Sequence, residues 1–150
     1  MADRIQFELV SPERLLISQA VEMVVLPGAE GDFGALPEHA PTVAALRPGV
    51  ISVFENNQVI ERVFVAGGFA EVTPERCTVL ADEAMPLSSL DRAAAESEAK
   101  SLESMAAGLR DQAARPAGPE RDDALLALAA AERRLAVAQA KLEALGATGH

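Results

Sequence analysis

The feature that most constrains this 150-residue sequence is an abrupt change of character near Pro86. Twelve of the 13 valines precede residue 87, and 19 of the 30 alanines follow it. The branched Cβ of valine restricts χ1 and suits a pleated strand, whereas the lone methyl of alanine suits a helix. A chain divided in this way is expected to place an all-β domain at 1–86 and a helical domain at 87–150. Charge divides at the same point. Residues 1–87 hold 5 basic and 13 acidic groups, net −8, while residues 88–150 hold 8 and 10, net −2.

In the first part, Ile5, Phe7 and Leu9 alternate with Arg4, Gln6 and Glu8, the period of a strand with one buried and one wet face. Further strands are expected at 15–17, 21–26, 49–54, 58–66, 69–72 and 77–81. Asn56-Asn57 separates two of these runs, and asparagine tolerates the left-handed backbone of tight turns, which predicts a β-hairpin. Short, evenly spaced strands predict a small sandwich or flattened barrel. Aromatics are 3% of the chain, with no Trp and no Tyr, so its core is expected to be aliphatic.

In the second part, Ser88 and Asp91 have capping-box spacing after Pro86, which predicts a helix running to about Ala114. Leu102, Met105 and Leu109 form its apolar stripe. Arg115-Pro116-Ala117-Gly118-Pro119 interrupts it, and a second helix is expected from about Glu120 to Leu145, ended by Gly146. Leu128, Leu135 and Leu142 recur every seven residues, as do Ala131, Ala138 and Leu145. Such a seam calls for a helical partner, and the first helix returning antiparallel through a short loop supplies one.

Little points to catalysis. The histidines are His39, in Leu36-Pro37-Glu38-His39-Ala40-Pro41, and His150. His39 between two prolines reads as a loop-packing or interface residue, and an enzyme using His39 with Glu38 is a remote reading. No metal-ligand spacing, Cys–His pair or phosphate loop is present. Cys77, the single cysteine, alternates with Val79 into a strand and is expected to be buried and inert. The run Gly28-Ala29-Glu30-Gly31-Asp32-Phe33-Gly34 has two carboxylates that would repel phosphate. It reads either as a tight turn or as a contact loop, in which charges steer a partner and Phe33 anchors it. Gly67-Gly68-Phe69 reads as a bulge or a sharp bend in the sheet. The net charge of −10 disfavours nucleic acid and anionic lipid. The start Met1-Ala2-Asp3-Arg4 lacks a signal-peptide core, and no apolar run suffices to span a bilayer. A soluble protein of a reducing compartment, reaching a membrane only through partners, is expected.

Four motifs follow one another along the chain: residues 26–43, Leu-Pro-Gly-Ala-Glu-Gly-Asp-Phe-Gly-Ala-Leu-Pro-Glu-His-Ala-Pro-Thr-Val; Leu46-Arg47-Pro48-Gly49-Val50; Gly67-Gly68-Phe69-Ala70-Glu71-Val72; and Val79-Leu80-Ala81-Asp82. This series resembles the epsilon subunit family of bacterial F-type ATP synthases, equivalent to the delta subunit of mitochondria. The resemblance covers the whole chain with the same β-then-α order. It implies a ten-stranded β-sandwich followed by an antiparallel α-helical hairpin, in a non-catalytic rotor subunit without a cofactor. By that resemblance the sandwich grips the gamma subunit, with Gly67, Gly68 and Phe69 as contacts. It rests on the c subunits of the membrane rotor ring through Glu30, Asp32, Phe33 and His39. The hairpin would fold down, or extend and inhibit hydrolysis by lodging against the alpha and beta subunits through Arg133, Arg134 and Lys141. The complex would lie on the cytoplasmic face of the bacterial inner membrane.

Members that bind ATP carry Ile/Leu-Asp-x-x-Arg-Ala at the start of the first helix. The matching residues are Leu90-Asp91-Arg92-Ala93-Ala94-Ala95, so alanine holds the arginine position. Arg92, two residues earlier, points about 200° away around a helix and cannot substitute. ATP binding through Asp91 and Arg92 is not expected. The other reading of the chain is a free-standing small-ligand-binding sandwich with a helical tail, which requires a polar pocket inside the sheet.

Overall fold

The computed structural model describes residues 3–148, and His150, Met1 and Ala2 lie outside that range. The chain forms two compact units, Met1–Ser89 and Leu90–His150. The first contains ten strands: β1 (Ile5–Val10), β2 (Leu15–Val21), β3 (Met23–Gly28), β4 (Gly31–Ala35), β5 (Thr42–Leu46), β6 (Gly49–Glu55), β7 (Gln58–Val65), β8 (Gly68–Val72), β9 (Arg76–Ala81) and β10 (Ala84–Pro86). A 3-10 turn at Leu87–Ser89 follows. The second unit holds α1 (Arg92–Ala113) and α2 (Pro119–Thr148).

The strands form one sheet in the order β10-β7-β6-β3-β5-β8-β9-β1-β2, with β4 bonded to β3. Every pairing is antiparallel except β1 with β9. The sheet folds over a core of Ile5, Phe7, Leu9, Leu26, Val53 and Val79 with their neighbours. These positions lie two apart within each strand, so the period-2 pattern places them on one face. Among the described residues no polar or charged residue is fully buried. The interior therefore offers no polar pocket of the kind a small-ligand-binding sandwich requires.

Asn56 and Asn57 both have positive φ, 52° and 62°, and join Glu55 to Gln58 in the predicted hairpin. Three strands escape the sequence reading. β4 and β5 are rich in glycine and alanine, and β10 has three residues. Their place in the sheet comes from neighbours rather than from propensity. The expected 15–17 strand runs on to Val21 as β2, and the expected 21–26 strand starts at Met23 as β3, with Glu22 between them.

The helical unit corrects four expectations. Asp91, not Ser88, caps α1: its carboxylate accepts the Ala94 N–H at 3.2 Å, while Ser88 lies in the 3-10 turn. Gly146 does not end α2, which continues to Thr148; Gly146 is not among the glycines with positive φ. The α1 stripe is Ala95, Ala99, Leu102 and Ala106, and Met105 faces outward at 49% exposure. Residue 106 lies about 40° from residue 102 around the helix, whereas 105 lies about 60° to the other side. On α2 the enclosed residues are Ala124, Ala131, Ala138 and Ala144, while Leu128, Leu135 and Leu142 are only half-buried. Alanine has little to interpose, so the helices meet along it and the leucines flank the seam. Arg110 on α1 reaches Glu132 on α2 at 3.5 Å.

Candidate functional site

The outer face of β5-β8-β9-β1 carries an unusual set of side chains. Residues directly opposite one another across a strand pair share a face. Ala45 lies opposite Phe69, Phe69 opposite Leu80, and Leu80 opposite Val10. These four make an apolar row across four strands on the side away from the core. Phe69 is 59% exposed and Leu80 56%, and Val43 in the next row is 73% exposed. Glu71 stands opposite Val43, and Glu8, paired with Arg76 at 3.3 Å, lies farther along. An apolar row flanked by carboxylates on an outer sheet face has the make-up of a docking surface.

Gly67 and Gly68 turn the chain into this face, with φ of 115° and 140°. A Cβ on Gly68 would lie 2.1 Å from the Leu80 carbonyl oxygen. Their bend reading holds: they bring β5, β8 and β9 together and so set the height of Phe69.

The expected contact loop at Gly28–Gly34 is largely a β-hairpin, β3-β4, with Ala29-Glu30 at its tip. Phe33 is not displayed as an anchor. It is half-buried against the core, 3.0 Å from where a Cβ on Gly28 would stand. The apolar ring gains more by covering the sheet than by meeting water. Asp32 pairs with Arg47 Nη2 at 2.5 Å, and Arg47 Nη1 donates to the Gly28 carbonyl at 2.5 Å. Arg47 thus clamps the hairpin, and Glu30 is left as an exposed charge at its tip.

His39 is half-buried in the β4-β5 connection. Its Nδ1 lies 2.6 Å from the Ala40 carbonyl oxygen and so carries a proton. Glu38 before it has φ of 68°, left-handed for a non-glycine residue, and its N–H donates to the Pro74 carbonyl at 2.7 Å. That bond ties this connection to the β8-β9 turn. Cys77 is buried, and burial pushes its thiol up to about 12, so it stays protonated and inert. On α2, Arg133 and Arg134 are exposed, and Lys141 is half-buried. Among the described residues no group of three His, Cys, Asp or Glu is placed to hold a metal. No helix there is long and apolar enough to cross a membrane.

Sequence reasoning missed Arg47, Val43 and Leu80. Leu80 had a readable signal, since it sits on the opposite phase of its strand from Cys77, Val79 and Ala81. Arg47 had none, because its partners lie 15 and 19 residues away.

Arg4 bonds and ion-pairs with Glu55, linking the approach to β1 with the end of β6. The Arg4 hydrogen bond, aided by its charge and opposed by lost hydration, holds the Glu55 carboxyl below the usual carboxylate range. A lowered folded pKa means the pair stabilises the fold above the unfolded range and loses that contribution as pH falls through the folded value. Glu55→Gln is therefore expected to be less stable than the parent near neutrality, with the gap closing below about pH 4. Urea unfolding at several pH values measures it, and an undiminished gap at acid pH would contradict the assignment.

A filled sandwich with an apolar row on its outer face has the form of a docking module. Residues 4–87 match the family model described as ATP synthase, Delta/Epsilon chain, beta-sandwich domain, and the chain belongs to that family. A protein of Rhodospirillum rubrum, the ATP synthase epsilon chain, is 64% identical over 94 residues, 63% of this chain and 70% of its own. The ATP synthase epsilon chain of Rhodospirillum centenum is 50% identical over 145 residues, 95% of this chain and 92% of its own. A chain in the cryo-EM structure of Euglena gracilis mitochondrial ATP synthase, OSCP/F1/c-ring in rotational state 1, is similar with a TM-score of 0.68 and 25% identity. That likeness covers 100% of this chain and 84% of that one.

Proposed function

We propose that this chain is the non-catalytic central-stalk subunit of a proton-translocating F-type ATP synthase, peripheral to the membrane and held there by its partners. The gamma subunit covers the outer face of β5-β8-β9-β1. The observation that carries this is the apolar row of Ala45, Phe69, Leu80 and Val10, and Phe69 is its largest anchor. Gly67 and Gly68 position that anchor. Asp32 and His39 face the c subunits of the rotor ring, so that proton-driven rotation reaches gamma without slip. The relatives' name as ATP synthase epsilon chains supports the assignment.

The α1-α2 hairpin extends to restrain the alpha and beta subunits, with exposed Arg133 and Arg134, and Lys141, meeting acidic segments. Alanine seams favour such a role, because they bury little area and leave the pairing easy to open. ATP does not bind the start of α1. Ala94 contributes only a methyl there, and the Asp91 carboxylate is already engaged as the helix cap.

Gel filtration of the full chain with gamma and the catalytic hexamer tests the docking role. Co-elution at micromolar concentration is expected, and separate elution would overturn the proposal. Ending the chain after Ser89 is expected to leave co-elution intact and to raise ATP hydrolysis by the assembled enzyme. Unchanged hydrolysis would reject the inhibitory hairpin alone.

A further inference from the structure

We infer that the open edge of β5 is where the stalk partner adds a β-strand: an extended segment of gamma that places a basic side chain opposite Glu30. This rests on the docking reading above and specifies its mode. β5 pairs with β8 along its full length, from Thr42 to Leu46. On its other edge it meets β3 only where Leu46 stands opposite Gly28. Two bonds make that junction, Ala29 N–H to the Ala45 carbonyl at 2.8 Å and Arg47 N–H to the Pro27 carbonyl at 2.9 Å. Backbone groups alternate in direction along a strand, so Val43, two residues before Ala45, aims its N–H and C=O at the same edge. Among the described residues no strand reaches Val43 there.

Soluble proteins guard such an edge with lysine, proline, a bulge or a cover. Residues Thr42-Val43-Ala44-Ala45 contain neither lysine nor proline, and the Val43 side chain is 73% exposed. An unguarded edge beside an apolar row is suited to a partner strand that continues the sheet. A groove of about 430 Å³ lies along it, walled by the β3-β4 tip on one side and by Thr42–Ala45 on the other. Phe33, Val43 and Ala45 supply apolar walls, and Glu30 is the one charged lining residue. Arg47 is occupied by Asp32 and the Gly28 carbonyl, so it holds the tip in place and leaves the negative charge of Glu30 at the rim. That charge selects a cationic side chain on the incoming strand.

Val43→Pro tests this directly. The N–H it removes faces the open edge and not β8, so β5 can keep its native pairing. The full-length variant is expected to melt like the parent and to bind gamma, in complex with the catalytic hexamer, about tenfold more weakly. Val43→Ala, which keeps the N–H and trims only the side chain, is expected to bind more tightly than Val43→Pro, so that the difference between the two reports the backbone bond. Parent-like affinity of a folded Val43→Pro would overturn the inference. Should that variant unfold, hydrogen exchange of the parent decides. The Val43 amide is expected to become strongly protected in the complex, and unchanged exchange there would overturn the inference. Failure of the parent itself to bind gamma would instead overturn the docking role.

Discussion

Gly68→Ala is expected to destabilise the β unit by about 4 kcal/mol, among the largest effects a single methyl can have here. Two costs combine. The φ of 140° lies where L-residues are rarely found, and the new Cβ would meet the Leu80 carbonyl oxygen at 2.1 Å and the Ala81 Cα at 3.0 Å. Both obstacles are backbone of the adjoining strand, so no side-chain rotation relieves them. For a unit of this size the melting midpoint should fall by about 20 °C. Gly108→Ala supplies the contrast. Gly108 lies in α1 with nothing within 4 Å of a new Cβ, and alanine there should stabilise the helix by about 0.5–1 kcal/mol. Circular dichroism during heating measures both. A Gly68→Ala protein that melts within a few degrees of the parent would show that β8 does not cross β9 so closely.

The second large effect is on assembly. Phe69→Asp should leave the fold intact, because the ring is 59% exposed and outside the core. It should weaken binding to gamma by more than about 100-fold. Truncating a central aromatic anchor removes about 2 kcal/mol or more, and a carboxylate enclosed by the partner adds a desolvation cost. Ile60→Asp, on β7 at 52% exposure, serves as a control and should bind like the parent. Calorimetric titration with the gamma-containing hexamer reads both. Equal affinities for the Phe69→Asp and parent proteins would remove the apolar row from the interface.

Much of this architecture is local in origin and therefore readable in order along the chain. The alternation Ile5, Phe7, Leu9 became the buried face of β1, and Asn56-Asn57 became the two left-handed residues of a tight hairpin. Both depend on residues one or two positions apart. The helices were readable for the same reason, although their facing sides were not. A leucine repeat and an alanine repeat occur on the same helix, and only the approach of α1 decides which one forms the seam. Close approach favours the smaller side chain, and so Ala131 and Ala138 are enclosed while Leu135 and Leu142 stay half-open.

The docking site divides along the same line. Glu30, Asp32, His39 and Phe69 were visible as candidates because their loops punctuate the chain with glycine and proline. Their roles diverged once the fold brought distant groups to them. Arg47, 15 residues farther along, captured Asp32, and the core captured Phe33.

By itself the sequence determined the β-then-α division, the strand period of its first half, and the family to which the chain belongs. The first two rest on composition and on patterns a few residues long, and the third on linked motifs spread in order along the chain. The tertiary structure alone decided which face of the sheet is bare, which edge of β5 is open, and which charges remain unpaired. Those properties belong to surfaces made by strands far apart in sequence, where register and crossing, rather than residue type, set what water and a partner can reach.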